Sequence, residues 1–162
     1  MPKTYEPIAT TTLASAATSF TFSSIPATYT DLILVADMST GGSSNYPSVR
    51  LNGDTASNYS RTYINGDGSS ASSSRNTESY MTVFGNAIAA SRVNFIMHFM
   101  NYSNTTTNKT ALSRKNDASG VMGATVHLWR STAAINSILI GSQTSDTFSI
   151  GTTFTLYGIK AA

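Results

Sequence analysis

The chain has 162 residues, about three in ten of them Ser or Thr, with only 11% charged, a net charge of +2 and no cysteine. That length accommodates one domain with a sizeable core, since a domain near 150 residues hides roughly 70% of its unfolded surface. The composition excludes disulfides, thiolate metal sites and cysteine nucleophiles, and 40% hydrophobic residues exclude a disordered chain.

The opening Met1-Pro2-Lys3-Thr4-Tyr5-Glu6-Pro7 has no apolar secretion-signal core, and no later segment approaches the ~18 uninterrupted apolar residues of a membrane span. A product of the cytoplasm with no membrane partner is expected. Residues 1–12 read as an N-terminal extended arm or an edge strand, because two prolines flank Tyr5 and proline cannot donate to a ladder. As an arm, Pro2, Tyr5, Pro7 and Ile8 would reach a neighbouring subunit. Residues 13–162 read as a single β-sandwich domain.

Residues 19–23 alternate strictly, with Phe20 and Phe22 inward. After the turn residues 25–31, Leu32-Ile33-Leu34-Val35-Ala36 is an apolar run of strand length, expected to be central and covered on both faces. A Gly/Ser/Asn-rich loop follows over residues 40–47. Asn52-Gly53 and Asn65-Gly66 each carry the signal of a tight hairpin turn, whose central residues need positive φ. The Ser-rich stretch from Gly66 to Ser74 reads as a long loop, and residues 80–84 as a strand. Residues 86–91 are either one helical turn or an irregular crossover.

Residues 92–102 form the longest strand candidate, with Val93, Phe95, Met97 and Phe99 on one face and Asn94, Ile96, His98 and Met100 on the other, both partly buried. A polar turn over residues 104–109 leads to a weak strand over 110–114, and strands follow at 121–130, 135–140 and within 146–160. About ten candidates at eight-to-twelve-residue spacing predict an antiparallel sandwich of jelly-roll type, with an ordinary barrel as the alternative.

Candidate chemistry is sparse. The ten Lys and Arg are scattered from Lys3 to Lys160, so no nucleic-acid partner is expected. Asp31, Asp54, Asp67, Asp117 and Asp146 fall where turn residues belong, and Glu6 and Glu78 are the only glutamates, too few for a placed acid–base pair. Asn65-Gly66-Asp67-Gly68 resembles part of a calcium loop but lacks the ordered oxygens and terminal Glu of one. His98 and His127 could meet across a sheet, yet two imidazoles without a third ligand make a poor zinc site. No Gly-x-Ser-x-Gly elbow accompanies the abundant serines, and no cofactor, metal or catalytic residue is expected. Trp129, on one face with His127, is either a core ring or an exposed platform that stacks on a sugar.

Several blocks carry a resemblance. The opening Tyr5-Glu6-Pro7-Ile8-Ala9-Thr10-Thr11-Thr12-Leu13, the turn from Ser24 to Leu32, the Arg50-Leu51-Asn52-Gly53-Asp54 block with Asn58-Tyr59-Ser60, and the closing run from Gly151 to Lys160 resemble small virion proteins of tailed bacteriophages, including those of cyanobacteria. The resemblance implies a β-sandwich on the particle surface: a capsid decoration (cement) protein, commonly a homotrimer, that bridges subunits of the major capsid protein. Its alternative is a tail fibre or tail-associated domain that binds a receptor or glycan. It brings no catalytic residues. The absence of a heptad stalk or collagen-like repeat favours decoration over a fibre shaft.

Overall fold

The computed structural model describes residues 4–41, 46–83, 92–117 and 120–160, and these contain strands and no helix. In chain order the strands are β1 (Tyr5–Thr12), β2 (Ser19–Phe22), β3 (Asp31–Met38), β4 (Pro47–Leu51), β5 (Tyr59–Gly66) and β6 (Ala71–Glu78). They continue with β7 (Met81–Thr82), β8 (Val93–Met100), β9 (Lys109–Asp117), β10 (Met122–Trp129), β11 (Ile138–Ser142) and β12 (Thr153–Ile159). An eight-stranded sheet runs β1-β12-β3-β8-β9-β10-β5-β6 and a four-stranded sheet runs β2-β11-β4-β7, antiparallel throughout. The two pack face to face as a sandwich.

Period-two alternation determines which side chains enter the core. Leu32, Leu34, Ala36 and Met38 of β3 lie beside Phe99, Met97, Phe95 and Val93 of β8, and all are buried. From the small sheet Phe22, Val49, Leu51, Ile138 and Ile140 close the same cluster. Each fully buried Leu, Ile or Phe contributes about 1.5–3 kcal/mol, so most of the stability sits between these strands. The far end of the large sheet reaches the small sheet's β7 edge. There Arg61 on β5 bonds Glu78 at 3.0 Å and reaches the Thr82 carbonyl at 3.5 Å.

Local signals and tertiary pairing part company at three places. Asn52 and Gly53 have φ of 53° and 69°, and the Asp54 amide donates to the Leu51 carbonyl at 3.0 Å, so the expected tight turn is present. It joins no hairpin, because β4 belongs to the small sheet and β5 to the large one. The Asn52 side chain instead bonds across to Ala134 and to the amides of Asn136 and Ser137. Asn65-Gly66 lies in β5 itself; the turn comes later, where the Asp67 carboxylate accepts the amides of Ser69 and Ser70 and Gly68 takes φ 87°. Of the Ser-rich stretch expected as loop, residues 67–70 do form the turn, but Ala71 to Ser74 open the edge strand β6, since a paired neighbour outweighs weak local propensity. Phe84 and residues 86–91 lie outside the described residues.

Gly158 of β12 is required for packing. A β-carbon there would lie 2.3 Å from Cγ of Tyr29, whose ring covers the strand while its hydroxyl donates to Glu6 and Lys160 sits above it. Gly158→Ala is expected to destabilise the chain by about 1–3 kcal/mol, read as a lowered urea midpoint. An unchanged midpoint would mean that Tyr29 moves aside at no cost.

Candidate interaction surface

Each side chain singled out by its chemistry has a definite place. Trp129 is 2% exposed: its ring stacks on Tyr59 at 6.2 Å, and its indole N–H donates to Asp54 Oδ2 at 2.7 Å. The sugar-platform reading of Trp129 is therefore corrected, because alternation on β10 turns this ring into the core and leaves no face for a ligand. Burial acts to raise the Asp54 carboxyl, and hydrogen bonds from Trp129, Asn58 and the Ala56 amide together outweigh it, holding it below the usual range.

The two histidines do not meet. His98 lies on the outer face of β8, with Nε2 2.9 Å from Asp31 Oδ2, and His127 lies on the inner face of β10, with β9 between the strands. His127 is fully buried and shares a 2.9 Å hydrogen bond with Ser113 through Nε2, while Nδ1 has no hydrogen-bond partner. Burial, and then the Arg61 charge opposite it, push its pKa down to about 3. A Ser–His pair closed off in this way has no room for a substrate. Among the described residues no cluster of three His, Asp or Glu side chains could hold a metal. The Asp67 carboxylate is held well below its ordinary range by the amides and hydroxyls of Ser70 and Ser69, the work of a turn residue.

At the N-terminus, Pro2 lies outside the described residues. Tyr5 and Pro7 pair with Ile159 and Tyr157, and the register shift after Pro7 lets Ile8 pack on the core. Of the two readings of this segment, the edge strand is the one adopted from Tyr5 onward, so Tyr5, Pro7 and Ile8 are held in the chain's own sheet rather than in a free arm.

The feature that remains is the outer face of the eight-stranded sheet. Position by position, Ile33 of β3 lies beside His98 of β8, then Leu112 of β9, then Val126 of β10. One step along the strands, Val35, Ile96, Arg114, Ala124 and Ile64 form a second row from β3 to β5. Met122 flanks that row at 68% exposed, with Ile64 at 62%. Shallow hollows between these side chains are lined by Ile33, Val35, Ile96, Arg114 and Met122. Beyond the band, Thr10 and Thr12 on β1 meet Thr155 and Thr153 on β12 in hydroxyl pairs at 3.2 and 3.1 Å.

No protein-family model, curated protein or solved structure matches this chain. The surface must therefore be read from its own chemistry. β3 was expected to be covered on both faces; its inner face is, but Ile33 and Val35 are only half-buried on the outer one. Sequence reasoning missed the band as a site because each strand contributes only one to three of its residues. The available signal was that β8 and β10 carry apolar residues on both alternating faces, more than a half-buried strand needs. Apolar side chains exposed next to one another across five strands form the kind of contiguous patch that commonly marks an interaction site.

Proposed function

We propose that this chain is a non-enzymatic structural protein of a tailed-bacteriophage virion, a decoration protein that sits on the outer capsid surface and stabilises the shell. The observation that carries the reading is the apolar band on the outer face of the eight-stranded sheet, which no second layer among the described residues covers. An exposed band rimmed by hydroxyls suits a protein that adds contacts to an assembly, where many modest interfaces combine. The winding supports it too. Strands β1, β2, β3 and β4 alternate between the sheets, as do β7 and β8, then β11 and β12, and the resulting orders β1-β12-β3-β8 and β2-β11-β4-β7 support a jelly-roll reading of the sandwich. The β5–β6 and β9–β10 pairs then widen one sheet and carry much of the band.

In this reading the chain is assembled in the host cytoplasm, its partners are the major capsid protein and further copies of itself, and a homotrimer bridges capsid subunits. A glycan-binding tail domain is the competing role, and burial of Trp129 removes its one tryptophan platform. Immunogold labelling of intact virions tests the proposal. Gold distributed over the head is the expected result; gold confined to the tail, or no label on the particle, overturns it.

A further inference from the structure

We infer that the apolar band docks onto a protein surface that is itself apolar and brings a carboxylate to Arg114; the inference rests on the virion reading for the identity of that partner, the capsid shell. Arg114 stands on β9, the middle strand of the five that carry the band, directly between Ile96 and Ala124. It is exposed, and among the described residues it forms no ion pair. The two β3 carboxylates of this face are already engaged. Asp31 bonds His98 and the Asn101 amide, and Asp37 bonds Arg92.

A guanidinium on apolar ground constrains whatever covers it. A purely apolar partner would strip water from the charge and return nothing, which is costly. A carboxylate accepts two parallel N–H bonds from the same fork and restores what desolvation removes. A second copy docked by the same face about a two-fold axis would bring Arg114 towards its own twin, a like-charge contact at the centre of the interface. Nucleic acid would want a basic track along the face; Tyr5 and Tyr157 do share a hollow with Arg114, but the other side chains lining it are Ile33, Val35 and Ile96, which offer a phosphate backbone nothing.

The test uses heads from a phage deleted for this gene, incubated with the purified chain and sedimented. Wild type is expected to co-sediment, and Arg114→Glu to bind about tenfold more weakly or worse, with an unchanged melting curve. Ile64→Ser, at the far end of the band, should weaken binding without a change of charge. Arg114→Lys keeps the charge and supplies an amine, so carbodiimide should give a zero-length cross-link from position 114 to an Asp or Glu of the shell protein. If wild type binds heads and Arg114→Glu and Ile64→Ser bind equally well, the docking face is wrong while the decoration reading stands. If wild type binds purified tails instead of heads, the decoration reading fails, and the same variants measured on tails decide the face. A dimer of the free chain in sedimentation equilibrium that Arg114→Glu dissociates would overturn the inference in favour of contact between copies.

Discussion

Acidification is expected to destabilise the folded chain through His127 by an amount of order 5 kcal/mol between neutral pH and pH 3. In the folded protein the imidazole is sealed on the inner face of β10, and its pKa falls from 6.5 to about 3. The unfolded chain exposes the same ring to water, where it binds a proton near its ordinary value. Below that value the unfolded state holds one more proton than the folded state. Stability is therefore fully present above pH 6.5 and declines by about 1.4 kcal/mol per pH unit as the pH falls towards the folded pKa. Desolvation is the larger cause, and the positive charge of Arg61 on the neighbouring strand adds to it. Urea unfolding at a series of pH values, compared with His127→Gln, measures the effect. The variant removes the titrating group, so its stability should depend on pH less steeply by that slope. Parallel curves would mean that His127 takes up its proton in the folded state without penalty.

Trp129→Ala should cost about 3–5 kcal/mol, among the largest effects of any single substitution in this chain. The ring fills the space beside Tyr59, and its N–H is one of three donors that hold Asp54, along with Asn58 and the Ala56 amide. Asp54 in turn closes the turn between β4 and β5, and its carbonyl accepts from the Tyr59 hydroxyl at 3.2 Å. Trp129→Phe keeps an aromatic ring but loses the bond to a charged acceptor, and should cost about 1.5–3 kcal/mol. Trp129 is the only tryptophan, so its fluorescence reports on this one place: blue-shifted when folded and red-shifted on unfolding. Thermal melts of both variants supply the stabilities. Wild-type melting temperatures for both would show that the ring is not part of the core. The burial also changes how a sugar-binding test must be read, because loss of binding in Trp129→Ala would report unfolding rather than a missing platform.

The band and the buried histidine differ in how far they were legible beforehand. The strict alternation of residues 19–22 and of β8 was readable, because a strand sends successive side chains to opposite faces whatever it pairs with. The tight turn at Asn52-Gly53 was readable for a similar reason: positive φ is a local property of two residues. Their consequences were not. Whether that turn closes a hairpin depends on where β4 and β5 find partners, and they find them in different sheets. Residues 71–74 have the composition of a loop and become a strand because β5 offers a ladder, an interaction that composition does not encode. His98 and His127 both occupy strand positions, and only the pairing through β9 places them on opposite faces.

By itself the sequence determined an all-β chain without disulfides, the approximate strands, the turn chemistry and the existence of two faces on each long strand. These follow from composition and from a period of two, both of which are local. Tertiary structure alone decided which face each strand buries, that Trp129 and His127 point inward, and that Ile64, Leu112, Arg114, Met122 and Val126 converge on one surface that no other described residues cover. Those outcomes depend on antiparallel pairing between residues far apart in the chain, from Tyr5 with Ile159 to Arg61 with His127, and such pairing is selected by the packing of the whole sandwich.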